Sequence, residues 1–314
     1  MESKDKDRTP EDTIPPAGSD ADRLAAFARH RGLLFSVAYR MLGSVADAED
    51  MLQETFIRWQ QAANEEIRSP RAYLVTIITR LCINHLQSAR VQREERVGEW
   101  LPEPLVTDLA SDPLGIVKVD ESLSMAFLFL LERLTPMERA VFLLREVFEY
   151  EYTEIAKVLG QTEANCRQIL RRARQHVGDL RRRFDAPARE HSDLLARFLK
   201  ATRSGDLQGL VDLLASDVVL HTDGGGKAIA LPNEVQGADT VARTILQRMA
   251  SNVPKEATGR LAKINGEPGF VGYVSGKPFS AITIEVRGGR IQGIYIVTNP
   301  QKLARLPNLP AAPI

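Results

Sequence analysis

The chain has 314 residues, 44% hydrophobic and 26% charged, and its 41 basic and 41 acidic side chains cancel to a formal charge of zero. That length exceeds one compact domain, so two or three are expected. The longest apolar run, Ala126 to Leu131, is far too short for a membrane span. Its two cysteines, Cys82 and Cys166, fall in different expected helices without ligand spacing, and read as small buried hydrophobes in a reducing cytoplasm.

Residues 1–20 mix charges and prolines without an apolar core, the composition of a disordered tail rather than a signal peptide. Residues 21–95 form a helical block. A helix from Ser44 carries Ala48, Leu52, Phe56 and Trp59 on one face, while Asp47, Asp50 and Glu54 line another stripe with Glu49 and Gln53 beside it. Solvated faces usually mix signs; this single-signed stripe suits docking on a basic protein surface. A helix from Pro70 to Ala89 turns Leu74, Ile78, Leu81 and Leu86 inward. Arg80, Asn84 and Gln87 share another face that leads into Arg90, Gln92 and Arg93, a strip suited to opened single-stranded DNA.

Residues 96–119 lose periodicity and read as a linker. Its WLPEP segment, Trp100 to Pro104, is stiffened by two prolines and expected to expose Trp100 and Leu101 as a docking peptide. Residues 120–184 form a second helical block, in which Thr135-Pro136-Met137-Glu138 is a helix start signal. From Tyr152 the pattern is a helix-turn-helix. Gly160 ends its first helix, Thr162 is placed to cap the second, and Cys166, Ile169, Leu170, Ala173 and Val177 face the core. Arg167, Gln168, Arg171 and Arg172 lie on the outer surface, where such side chains bond base edges and phosphates. Eight basic residues against three acids between Tyr152 and Phe184 show that the zero net charge hides a local positive field.

Residues 189–305 change character to two amphipathic helices at about 190–215, a third at Gly237 to Ala250, and strands at Val218–His221, Phe270–Val274, Phe279–Val286 and Ile291–Val297. The expectation is an α+β domain with a curved antiparallel sheet. His221 and Asp223 are two apart and share a strand face, so a pocket acid–base pair is one alternative. The other is that Asp223 caps the Asp223-Gly224-Gly225-Gly226-Lys227 turn. Asn299 and Pro300 read as a helix cap and first turn, and residues 306–314 as an irregular tail. The scattered histidines give no metal spacing, and no catalytic residue, metal or cofactor is expected.

In order and spacing, the DAED-x-x-QE-x-F helix, the RAYLVTIITRLCINHLQSAR helix, the linker and the arginine-rich helix-turn-helix resemble an extracytoplasmic-function sigma factor of the sigma-70 family. WLPEP, DGGGK and NPQKL (Asn299 to Leu303) resemble the marks of a branch with a fused C-terminal SnoaL-like domain. The resemblance implies a multidomain chain with two all-α sigma domains, the second bearing the helix-turn-helix, followed by an α+β SnoaL-like cone. It implies that Asp47, Glu49, Asp50, Gln53 and Glu54 face core RNA polymerase, and that Arg80, Asn84, Arg90 and Arg93 meet the −10 strand of promoter DNA. Arg167, Gln168, Arg171 and Arg172 would read the −35 duplex. Trp100, Leu101, Pro102, Asp223, Gly224, Asn299, Pro300 and Lys302 would form the interdomain regulatory contact. The expected state is a cytoplasmic monomer without membrane attachment, its C-terminal pocket open to an unknown small ligand. A stand-alone operator-binding regulator and a cyclase-like enzyme are the competing readings; the acidic stripe counts against the first.

Overall fold

The computed structural model describes residues 20–62, 67–93, 99–107, 123–177, 187–226 and 230–309. The expected N-terminal tail before residue 20, most of the linker, the arginines at 181–183, Lys227 and the last five residues lie outside that set, as do the side chains of Arg90 and Arg93.

Three helices open the fold: α1 (Asp20–Leu42), α2 (Val45–Gln61) and α3 (Pro70–Arg93). Ser44 caps α2 by accepting from Asp47 N at 3.2 Å, and α3 runs four residues beyond the expected end at Ala89. The second block holds α4 (Met125–Leu131), α5 (Pro136–Phe142) continuing as a π-helical turn (Leu143–Val147), α6 (Tyr152–Leu159) and α7 (Glu163–Val177). Thr135 and Glu138 close a reciprocal capping box on α5. Gly160 takes φ +65° at the end of α6, a conformation glycine adopts without a Cβ penalty. Thr162 Oγ1 accepts from Asn165 N at the start of α7.

The two helical blocks do not keep separate cores. Leu34, Trp59 and Ile78 of the first share one buried cluster with Val141, Ile155 and Leu170 of the second. Arg139, 3% exposed, crosses between them and donates to Met41 O at 2.6 Å and to Glu132 Oε1 at 2.7 Å.

The last third contains α8 (Ala188–Ser204), α9 (Leu207–Leu213), β1 (Leu214–Asp223), β2 (Val235–Gln236), α10 (Ala238–Asn252), β3 (Thr258–Ile264), β4 (Glu267–Val274), β5 (Lys277–Arg287), β6 (Arg290–Val297) and α11 (Pro300–Leu303). The sheet order is β2-β1-β6-β5-β4-β3. It is mixed rather than wholly antiparallel, because β1 pairs parallel with β6. That correction follows from distance along the chain: β6 lies across α10 and four strands from β1, so no hairpin sets their relative direction. The expected strands omit the two-residue β2 and also β3, whose mostly exposed alternation gave little apolar signal.

Alternating side chains make both sheet faces apolar. Leu220, Ile284 and Ile294 pack with Leu195, Phe198 and Val241 on the helix side. Val271, Tyr273, Tyr295 and Val297 face the other way, where Leu101 of the linker and Met125 and Ala126 of α4 cover them. The linker thus becomes part of the C-terminal domain's second core. Among the described residues, no helix is long and apolar enough to cross a membrane.

Candidate functional site

The linker is held at three levels. At its start, the buried carboxylate of Asp223 at the end of β1 accepts from Leu101 N at 3.0 Å and from Lys302 Nζ of α11 at 2.6 Å. The same ammonium donates to Leu101 O and lies 4.0 Å from the centroid of the Trp100 ring. The other carboxylate oxygen accepts from Gly225 N at 2.8 Å, so Asp223 also caps its own turn. Asn299 caps α11 through Gln301 N, and its amide reaches Asp223 Oδ1 at 3.5 Å. Gly225 (φ +61°) has to be glycine twice over, since a Cβ there would stand 2.4 Å from the Asn299 amide. Three separated segments therefore converge on one buried ion pair, which needs this full set of partners to offset its desolvation.

In the middle, Glu103 N donates to Gly43 O at 2.8 Å, while Glu103 Oε2 accepts from Val45 N at 2.8 Å. A linker carboxylate thus sits at the N-terminus of α2, where orphan amides and the helix dipole favour it. Burial nevertheless raises its pKa above the ordinary carboxylate range, against the lowering effect of those amides and Arg305. Trp100 packs on Gly43, whose Cβ would meet the indole at 2.5 Å.

At its end, Leu105 and Asn265 exchange hydrogen bonds, from Leu105 N to Asn265 Oδ1 at 2.9 Å and from Asn265 N to Leu105 O at 2.7 Å. Val106 forms an antiparallel bridge with Ile264. Asn265 Nδ2 also donates to Tyr39 Oη, and that hydroxyl donates to Glu103 O. One chain of bonds thereby ties α1, the linker and the β3–β4 turn.

Leu101 is fully buried and Pro102 is buried, so the segment expected to expose Trp100 and Leu101 is docked. Gly224 follows Asp223 in the chain, and Pro300 opens α11 next to Asn299. Glu103, Tyr39, Asn265 and Arg305 were missed. Asn265-Gly266 was a readable turn signal; the others carried no local mark.

The acidic stripe of α2 is partly engaged. Glu49 Oε2 pairs with Arg305 at 2.5 Å, Glu54 with Arg58 at 2.8 Å, and Asp47 lies 3.8 Å from His85. Asp50 and Gln53 are exposed. On α3, Asn84 is exposed, but Arg80 donates to Val158 O at 2.8 Å and Lys157 O at 3.3 Å. A residue expected on single-stranded DNA instead satisfies the carbonyl end of α6. On α7, Gln168 and Arg171 are exposed, Arg167 pairs with Glu163 at 2.8 Å, and Arg172 lies 3.9 Å from Glu138.

The alternative of a pocket acid and base at His221 and Asp223 is corrected by the geometry. Both share one face of β1, but it is the linker face: His221 Nδ1 is 2.7 Å from Glu99 Oε1, and its ring stacks on Tyr295. The cavity opens on the opposite face, lined by Leu220 and Thr222 of the same strand. No Asp, Glu, His or Cys is among its described lining residues. Glu99, His221 and Glu234 bring three ligand-type atoms within 4.8 Å of one another, a grouping that spacing along the chain could not show.

Two families match this chain. Sigma-70 region 2 matches residues 26–91, and Sigma-70, region 4, matches residues 124–177. The extracytoplasmic-function RNA polymerase sigma factor SigJ of Mycobacterium tuberculosis is 38% identical over 303 residues, spanning 90% of this chain and 94% of SigJ. A probable extracytoplasmic-function sigma factor, SigI of the same organism, is 31% identical over 282 residues, covering 89% and 94% respectively. The crystal structure of M. tuberculosis SigJ superposes with a TM-score of 0.74 at 37% identity, covering 90% of this chain and 98% of that one.

Proposed function

The chain belongs to the extracytoplasmic-function sigma factors and directs promoter-specific transcription initiation by RNA polymerase, and on that footing we propose that its SnoaL-like domain holds the free factor closed. The observation that carries this reading is the Asp223–Lys302 clamp on Leu101, because it fastens the tether between the two sigma domains to a third domain. Two further contacts act in the same sense. Arg305 sits on Glu49 of the polymerase-facing stripe, and Arg80 of the −10 strip is bonded to α6 of the −35 domain.

In the closed form the two DNA readers share one core. A promoter demands that they stand apart on the polymerase, so polymerase binding has to draw the linker off the sheet, at a cost set by the clamp. Asp47, Glu49, Asp50, Gln53 and Glu54 form the polymerase face, Arg80, Asn84, Arg90 and Arg93 the −10 face, and Arg167, Gln168, Arg171 and Arg172 the −35 face. The units are taken as residues 21–95, 120–184 and 189–305. The factor acts as a cytoplasmic monomer before it meets polymerase, and its third domain regulates rather than catalyses, in keeping with a cavity that has no Asp, Glu, His or Cys among its described lining residues.

The test is in vitro transcription with core polymerase, using the full chain and a chain truncated at residue 186. Altered output at equal core saturation is expected. Identical output and core affinity from both chains would remove the regulatory reading while leaving the sigma activity in place.

A further inference from the structure

We infer that the cavity of the C-terminal domain is a binding site for an apolar-bodied small-molecule anion, and that its occupancy is transmitted to the linker through α11. This rests on the regulatory reading above and gives it an input.

The cavity has a volume of about 520 Å³, within the roughly 300–1,000 Å³ usual for small-molecule sites. Its walls are mostly apolar, with Phe198, Phe270, Phe279 and Met249 supplying broad surfaces that suit fused rings or a branched hydrocarbon. Two features give the occupant a charge. Arg203 and Arg248 are in the lining, and neither has a carboxylate partner among the described residues. No acidic side chain is in the described lining to balance them. Arg203 is exposed and Arg248 half-buried, so both mark the side where the cavity meets solvent. A cavity with two positive charges and no negative one favours an anion, and a guanidinium bonds a carboxylate through two parallel N–H groups.

A further observation is independent of the arginines. Thr202, another wall residue, is 8% exposed, and its buried hydroxyl has no hydrogen-bond partner among the described residues. Buried hydroxyls are nearly always partnered, so an unpartnered one in a cavity wall points to a ligand group that completes it. The ligand class is therefore a compact apolar skeleton with one carboxylate or similar monoanion and one further polar atom.

Coupling to the linker follows from α11. Pro300 and Leu303 form part of the cavity wall, while Lys302 between them bonds Leu101 O and Asp223. With four residues this helix has no independent core, so displacement on one side moves the side chains on the other. Thr222 of the lining precedes Asp223, making a second short path to the same clamp.

The experiment uses the full chain with anthracene-2-carboxylate and its uncharged amide as probes. Binding is measured by calorimetry, and linker protection by hydrogen exchange over residues 99–107. One carboxylate per chain should bind, about tenfold tighter than the amide, with Arg248→Gln removing most of that difference. Ile282→Trp, which fills the cavity, should abolish binding of both; if that variant does not fold, Arg248→Gln carries the test. Saturation with the carboxylate should change exchange across residues 99–107 by at least severalfold. Failure of both probes to bind overturns the site, and equal affinity for acid and amide overturns the anionic class. Binding without any change in linker exchange overturns the coupling. None of these readouts involves transcription, so they stand apart from the truncation test of the regulatory reading.

Discussion

Arg305, just past α11, places a guanidinium nitrogen 2.5 Å from Glu49 Oε2 on α2, joining residues 256 positions apart across the domain boundary. Both side chains are about two-fifths exposed, so the pair contributes roughly 0.5 kcal/mol in water. Its importance is positional, since it occupies a carboxylate of the proposed polymerase face.

Charge reversal at Arg305 should therefore free that face, at some cost to the fold because the same guanidinium lies 3.8 Å from buried Glu103. Arg305→Glu is expected to raise affinity for core polymerase about two- to fivefold at low salt, and less at high salt. Fluorescence anisotropy of labelled protein against core polymerase checks this. Unchanged or weaker capture would show that Glu49 takes no part in polymerase contact.

Removing one member of the buried clamp should be far more costly. Lys302→Met leaves the Asp223 carboxylate buried without its cation, and a loss of about 3–5 kcal/mol in unfolding free energy is expected. The double change Asp223→Asn with Lys302→Met should recover a substantial part of that loss. Urea unfolding of the two variants measures it, and proteolysis between Trp100 and Leu105 should accelerate in the single variant.

On α7, Arg171 is exposed and has no salt bridge among the described residues, so truncation there should leave stability intact. Arg171→Ala is expected to weaken binding to a −35 duplex by about 1–3 kcal/mol if it reads a base. If it meets phosphate, the salt slope should fall by about one unit instead. Salt-dependent binding of the holoenzyme to promoter fragments distinguishes the two, and no change in either would exclude Arg171 from the reader.

His191 on α8 supplies a pH dependence. Burial lowers its pKa from 6.5 to about 4, against a weaker raising effect from the Ile284 backbone. The folded state thus binds this proton less readily than the unfolded one. Its contribution is complete above pH 6.5, shrinks as pH falls, and is gone below about 4. A stability loss of about 3 kcal/mol across that window is the upper range expected from the shift. Thermal unfolding of the full chain and of His191→Leu between pH 4 and 7.5 should show a shallower slope in the variant.

Much of the fold was readable because it is written locally. Thr135 and Glu138 announce a helix start wherever they occur in that spacing, and Gly160 after an apolar repeat announces a stop. The strands β4, β5 and β6 carry enough apolar residues to be seen, whereas β3 alternates toward solvent and was not. Parallel pairing of β1 with β6 has no local signal at all, since Leu220 and Ile294 meet across an intervening helix and four strands. The site divides the same way. WLPEP, Asp223 and Lys302 could be singled out by resemblance, but the bonds joining them exist only after three remote segments meet. Tyr39 looked like any core aromatic until its hydroxyl was found holding both Glu103 and Asn265. The face on which His221 lies was right in its alternation and wrong in its neighbour, because strand periodicity does not say which side holds the cavity.

Val106 pairs with Ile264, and Thr107 N donates to Lys263 O, so the linker meets the end of β3 through one isolated antiparallel bridge. On its far side β3 has no other strand neighbour, and Leu261 on it is 59% exposed. In the proposed open form, drawing the linker away would also remove the partner of Lys263 O and Asn265 N at the end of an edge that is already bare at Leu261. Such an edge recruits other chains. On the proposed reading, the segment that restrains transcription also covers the end of a sheet edge, so the opened factor should self-associate more readily than the closed one.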